Sequence, residues 1–398
     1  MVSVSTSLPH MAKMRTDFLV FGQPLLGEEE IAEVVDSLRS GWIGTGPKVQ
    51  RFERMLEEYV GVEHVRCLSS CTAALMLGLL ALGVGEGDEV IVPTMSFAAS
   101  ASAILHTGAT PVLVDSEPIT GLMDLDATEA AITERTKAVM PVHLSGRPVD
   151  MERVNSIRDR YSIAVIEDAA HAIGSEWRDR KIGSHGNLTA FSFYATKNIT
   201  TAEGGALATP DADVAERIER LSLHGLSAGA WRRYSDAGFK HYEVVEPGYK
   251  FNMTDLHAAI GIHQLPRLDG WIQAREDQWV RYDELLLGLP VESPSAPEPG
   301  TRHARHLYQV LIAPGAARSR DEMLDFFTAH GIGAGVHYRA IHLHEHYRQR
   351  FAFEQSAFPV AEDMSDRTLS LPLGPNLAER DQDDIVEALR LGLSGYDL

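Results

Sequence analysis

With 398 residues, 44% of them hydrophobic and 23% charged, the chain is too long for one simple core and has ordinary globular composition. A formal net charge of −20 repels phosphate over most of the surface. That argues against nucleic acid or anionic membranes as partners, and any phosphorylated ligand must meet a local pocket of cations or N–H groups.

Residues 1–17 read as a loose tail without the apolar run of a signal peptide, and no stretch approaches the roughly 20 apolar residues that cross a bilayer, so a cytoplasmic protein is expected. Residues 28–40 carry Ile31, Val34, Val35 and Leu38 at helical spacing. From there β-branched runs at 89–92, 111–115, 138–142 and 163–168 alternate with helical patterns such as 72–82 and 150–160. This alternation predicts an α/β protein with helices covering a mostly parallel sheet, and such sheets bind ligands at the carboxyl ends of their strands. The rhythm changes after about residue 261, where 265–287 reads as one long helix followed by a proline-rich stretch at 289–300. A boundary is therefore placed between a large domain, 18–264, and a small α+β domain, 265–398, with a strand at 308–312 and helices at 320–330 and 382–393.

Three segments carry chemistry. In residues 191–205 a lone lysine, Lys197, lies past an apolar strand and before a glycine pair. If buried there, it loses its charge more readily, and a neutral amine attacks an aldehyde to form a Schiff base; a surface lysine after a strand is the plain alternative. In residues 165–171 a hydrophobic strand ends at Asp168, where a carboxylate facing the crevice holds a pyridine nitrogen protonated, unless it serves as a helix cap or metal ligand. Residues 68–75 run from a strand through Ser70, Cys71 and Thr72 straight into a helix. That arrangement is a phosphate seat by virtue of its open N–H groups, hydroxyls and dipole, or a plain N-cap at Ser70. Ser192 offers a further hydroxyl, and Phe97 either an aromatic face for a planar ring or a core side chain. Cys67 and Cys71 are the only cysteines and read as packing residues.

Together with the Phe-Gly-Gln-Pro run at 21–24, Ser-Gly-Trp-Ile at 40–43, Pro-Val-His-Leu at 141–144, residues 248–255 and Leu-Ser-Leu-Pro at 369–372, these segments resemble the DegT/DnrJ/EryC1/StrS sugar aminotransferases. That family is a branch of the fold-type I, aspartate aminotransferase-like, pyridoxal-phosphate enzymes. The resemblance implies a large, mixed, mostly parallel sheet with a small C-terminal domain and pyridoxal 5'-phosphate as cofactor. By position it makes Lys197 the Schiff-base lysine, Asp168 the partner of the pyridine nitrogen, His171 a neighbour of the ring or its 3-hydroxyl, and Phe97 the stacking aromatic. The phosphate falls to Cys71, Thr72, Ser192 and, across a homodimer with shared active sites, Asn252, with Lys250 beside it. Many relatives have glycine where this chain has Cys71; the backbone N–H survives that change. The resemblance further implies glutamate as amino donor and a nucleotide-linked keto sugar as acceptor, namely a thymidine-diphosphate 4-keto-6-deoxyhexose aminated at C4, with amination at C3 as the alternative.

Arg232, Arg233 and Lys240 are candidates for the sugar-nucleotide diphosphate, with a solvated loop as the alternative reading. His342, His344 and His346 alternate as on one face of a strand, yet no carboxylate or cysteine completes a metal-site spacing. No metal is expected there; the resemblance makes this a loop near the substrate entrance, with His342 a candidate contact. Two rivals remain: a pyridoxal-phosphate sugar dehydratase, which the resemblance would give histidine at position 197, and a catalytically idle sensor of cofactor or sugar nucleotide.

Overall fold

The computed structural model describes residues 15–227, 242–354 and 356–395. The chain opens with helices α1 (Glu28–Ser40) and α2 (Pro47–Val60), then enters strand β1 (His64–Leu68), helix α3 (Cys71–Ala81), strand β2 (Glu89–Pro93), helix α4 (Ala98–His106) and strand β3 (Thr110–Val114). Strands β4 (Thr136–Val139) and β5 (Ala164–Asp168), a short hairpin of β6 (Glu176–Trp177) and β7 (Arg180–Lys181), then β8 (Leu188–Ser192) and β9 (Gly205–Thr209) follow. Seven of these form one sheet in the spatial order β1-β9-β8-β5-β4-β2-β3. β9 runs antiparallel to both neighbours, and the other pairings are parallel. Strands covered on both faces need apolar residues throughout, and β2, β8 and β9 are buried at every position.

The strands expected from β-branched runs lie within a few residues of β2, β3, β4 and β5. β4 is shorter than its run: Val142 lies beyond it and meets Asp168 in an isolated parallel bridge. The long helix expected at 265–287 begins with a 3-10 turn at Leu265–Arg267 and continues as the α-helix Leu268–Leu285. Leu268 and Ile272 of that helix join the core around the large sheet, while Trp279 and Tyr282 join a second core with Tyr308, Phe327, Ile385 and Leu389. This second core covers a three-stranded antiparallel sheet of Val291–Glu292, Tyr308–Ile312 and Thr368–Leu371. Of the segment read as a tail, Arg15 makes ion pairs with Asp381 at 2.6 Å and Asp384 at 2.9 Å; just past it, Leu19 bridges Ile332.

α1 is turned opposite to what an apolar stripe at helical spacing suggests. Its buried residues are Glu30 and Ser37, while Ile31 is 53% and Leu38 58% exposed. The cause is the floor beneath it: Gln264 donates to Glu30 at 2.6 Å, and His263 and Lys48 reach Glu33 at 2.9 and 2.8 Å. The helix thus satisfies its polar face inward and presents its apolar one outward. Leu25, Leu26, Trp42 and Ile43 in the flanking chain are exposed as well. Among the described residues no helix is long and apolar enough to cross a membrane.

Candidate functional site

A cavity of about 450 Å³ opens where β1, β5 and β8 end, within the usual range for small-molecule sites. Lys197, Asp168, His171, Ser70, Cys71, Thr72, Ser192 and Phe97 all line it.

β1 delivers its chain to the start of α3. Ser70 is extended, and its Oγ accepts the Ala73 N–H at 3.1 Å, capping the helix. The N–H groups of Cys71 and Thr72 belong to the first turn and have no carbonyl a turn earlier to bond. Gly205, opposite, allows the hairpin to close on this turn: a Cβ there would lie 2.4 Å from the Cys71 nitrogen. The Cys71 thiol faces the Ala190 carbonyl at 3.6 Å, and burial raises its pKa well above the ordinary range. The backbone N–H groups, the helix dipole and the Thr72 hydroxyl therefore supply the anion-binding capacity of this end.

β5 ends at Asp168, which is only 5% exposed. Its Oδ2 accepts from Ser100 Oγ at 2.7 Å and its Oδ1 from the Ala170 N–H at 3.1 Å. Burial raises its pKa, and these two hydrogen bonds, with Lys197 and His143, pull it back. A carboxylate in that balance suits a cationic partner at short range.

β8 ends at Ser192, and the loop to β9 is closed by the Phe193 N–H to the Gly204 carbonyl and the Thr201 N–H to the Phe193 carbonyl, both 2.9 Å. Lys197 rides on this loop, partly buried, with no hydrogen bond or ion pair on its amine among the described residues. Burial pushes its pKa down to about 8, against opposing pulls from Cys71 and Asp168. The amine is thus readily neutral, as a nucleophile toward an aldehyde must be.

His171 accepts the Ser145 N–H on Nδ1 at 3.1 Å and meets the Tyr338 hydroxyl through Nε2 at 3.0 Å. Both ring nitrogens are committed within the chain, so this imidazole offers a bound molecule its face. Burial, with the charge of Lys197, holds it well below the ordinary histidine range. His306 tilts against His171 at 4.5 Å between centroids and pairs with Asn198 at 3.1 Å. Phe97 is 59% exposed at the mouth, 5.6 Å from the Tyr338 ring, rather than packed in the core.

Other expected residues lie elsewhere. Asn252 lines a separate hollow with Thr45, Arg66 and Glu53; its Nδ2 donates to Thr45 Oγ1 at 2.6 Å, and Lys250 donates to its Oδ1. His342 does not stand among the cavity-lining residues: it is 3% exposed on the turn Ile341–Leu343, held by Thr94 at 2.7 Å and Glu362 at 3.2 Å. Both its ring nitrogens are engaged inside the fold. The alternating histidines do not share a strand, since His346 is on the helix Glu345–Phe351. Arg232, Arg233 and Lys240 lie outside the described residues.

The sequence reading passed over Ser100, His306, His337 and Tyr338. His306 sits between basic residues and a strand with no motif of its own, and Tyr338 precedes the histidine alternation that drew notice.

The donor set suits pyridoxal phosphate: an amine with no partner among the described residues for the aldehyde, a buried carboxylate for the ring nitrogen and open N–H groups for the phosphate. The sequence pattern that defines the DegT/DnrJ/EryC1/StrS aminotransferase family matches residues 24–390. The chain belongs to this family. SpsC of Bacillus subtilis, a spore coat polysaccharide biosynthesis protein, is 45% identical over 390 residues, covering 97% of this chain and 100% of SpsC. Spr1654 of Streptococcus pneumoniae, a candidate sugar aminotransferase solved in apo, PMP and PLP forms, superposes in its PLP form with a TM-score of 0.87. Its identity is 37% over 94% of this chain and 98% of its own. PseC of Helicobacter pylori, an aminotransferase involved in pseudoaminic acid biosynthesis, gives a TM-score of 0.88 at 29% identity over 96% and 100% of the two chains. This family member is a pyridoxal-phosphate-dependent sugar aminotransferase of fold type I.

Proposed function

We propose that the enzyme moves an amino group from glutamate to the keto carbon of a nucleotide-linked sugar, a thymidine-diphosphate 4-keto-6-deoxyhexose aminated at C4, in cytoplasmic deoxyamino-sugar biosynthesis. The observation that carries this reading is Lys197, an amine whose pKa burial lowers to about 8 and which has no partner among the described residues, in the cavity that also holds Asp168. In this reading Lys197 would bind the aldehyde carbon, Asp168 would pair with the pyridine nitrogen, and His171 would neighbour the ring. The Cys71 and Thr72 N–H groups, with the hydroxyls of Ser70, Thr72 and Ser192, hold the phosphate.

When bound, pyridoxal phosphate supplies an aldehyde that exchanges amines and a protonated ring that withdraws electrons from the adjacent C–H bond. Asp168 would keep the ring nitrogen protonated, its carboxyl being drawn toward the charged form against burial by Ser100, the Ala170 N–H and Lys197. Lys197 Nζ takes the proton from the donor α-carbon in the first half and returns one to the sugar carbon in the second, so one amine serves both. Phe21, Phe97, Tyr194 and Tyr338 provide aromatic faces beside the polar groups of Ser192, His306 and His337, a mixture suited to a hydroxylated ring. Involvement of SpsC and PseC in polysaccharide and pseudoaminic acid biosynthesis favours an amino-sugar product.

A homodimer with shared sites belongs to the same reading. The outward apolar stripe of α1 needs a cover, and Asn252 lines a separate hollow rather than its own chain's cavity, which favours its use by a second copy with Lys250 beside it. The sugar diphosphate falls to Arg232, Arg233 and Lys240. The test is incubation with glutamate and a panel of keto-sugar nucleotides, with the new nitrogen located by NMR. Amination at C4 of the thymidine-linked sugar is expected; no amination of any keto sugar would end the reading.

A further inference from the structure

We propose that Tyr338 is a further catalytic residue, moving protons at the oxygen of the reacting carbon while Lys197 moves those at the carbon itself. The proposal rests on the aminotransfer reading above.

The geometry is a directed chain of hydrogen bonds. Ser145 is buried and adopts a left-handed backbone with φ 59°, and its N–H meets His171 Nδ1 at 3.1 Å. A backbone N–H can only donate, so Nδ1 is the acceptor and the neutral imidazole carries its hydrogen on Nε2. Nε2 stands 3.0 Å from the Tyr338 oxygen and therefore donates to it. The phenol hydrogen is not needed by His171 and is left for another acceptor, and Tyr338 lines the same cavity as Lys197. Burial keeps His171 uncharged, so the direction of the chain persists at ordinary pH.

Transamination requires such a group. When an amine condenses with a keto carbon, a C=N bond forms, the C–O bond breaks, and both amine hydrogens leave with the oxygen as water. Release of the oxo acid from the donor runs the same exchange in reverse, and neither direction needs an oxidant or reductant. Tyr338 gives its hydrogen to the departing oxygen and takes one from the nitrogen, ending as it began. His171 Nε2–H supports the phenol oxygen between the two transfers. Burial raises the Tyr338 pKa above the usual phenol range, so the two transfers are coupled and no free phenolate persists.

The test is Tyr338→Phe as holoenzyme, with glutamate in D2O. The ring keeps its place between Phe97 and His171, and cofactor affinity, measured by dialysis and absorbance, stays within about threefold of wild type. NMR follows two rates: loss of the glutamate α-hydrogen and appearance of the oxo acid. Loss of a positioned acid–base group slows its step by about 10² to 10⁴, so the ratio of exchange to oxo-acid formation is expected to rise at least about 30-fold. A proportional fall in both rates, or no change in the ratio, would overturn the assignment. A wild-type enzyme inert to glutamate would overturn it together with the reading on which it rests.

Discussion

Ser100 Oγ donates to Asp168 Oδ2 at 2.7 Å from the first turn of α4, and Ser96 Oγ lies 2.7 Å behind Ser100. The hydroxyl is one of the groups that draw the carboxyl back toward its charged form against burial. Replacing Ser100 with alanine raises the proton affinity of Asp168 further and weakens its hold on a cationic ring nitrogen. A hydrogen bond to a charged group is worth about 1.5–3 kcal/mol, so kcat is expected to fall roughly tenfold or more. Asp168→Asn should fall further, and single-turnover kinetics of both variants check the order.

The crevice was legible in the sequence because its parts are local. Asp168 ends a hydrophobic run, Lys197 follows another, and Ser70 to Thr72 join a strand to a helix, each visible within a dozen residues. The wall formed by His306, His337 and Tyr338 was not legible, since these residues lie far along the chain from His171 and join it in one cavity only in the folded protein. Periodicity misled at α1 for a related reason: spacing reveals a stripe, but not whether the floor beneath it is polar. The reversed strand β9 likewise left no local mark, because Gly205–Thr209 is buried at every position just as β2 and β8 are.

Gly205 is required by closeness to the phosphate end. An added Cβ would sit 2.4 Å from the backbone of Ser70 and Cys71. Gly205→Ala is expected to lower stability by about 1–3 kcal/mol and to weaken cofactor binding by more than tenfold. Thermal melts and cofactor titration measure the two effects separately.

The outward face of α1 gives a solution test. Ile31→Glu combined with Leu38→Glu alters two exposed side chains, so the fold should persist by circular dichroism. Light scattering is expected to change from dimer to monomer, and cofactor affinity to fall as Asn252 and Lys250 lose their counterpart. A double variant that remains dimeric with full affinity would rule out this face.

Lys197 sets a pH dependence whose sign can be worked out. Its folded pKa of about 8 lies below the ordinary 10.5, so the unfolded chain binds more protons between these values. The apoprotein should gain stability as pH rises from about 8 to about 10.5, and Lys197→Met should remove that slope. Capture of pyridoxal phosphate by the apoprotein should accelerate through about pH 8, as the neutral amine is the attacking form. Denaturant melts and stopped-flow absorbance across pH read these trends, and Lys197→Ala should lower turnover by about 10⁴-fold or more.

The most direct measurement is borohydride reduction of the yellow holoenzyme followed by peptide mass spectrometry. Borohydride fixes the cofactor to whichever amine holds it. The account predicts one phosphopyridoxyl group per chain, on Lys197. A label on any other lysine, or a colour lost without a label, would contradict it.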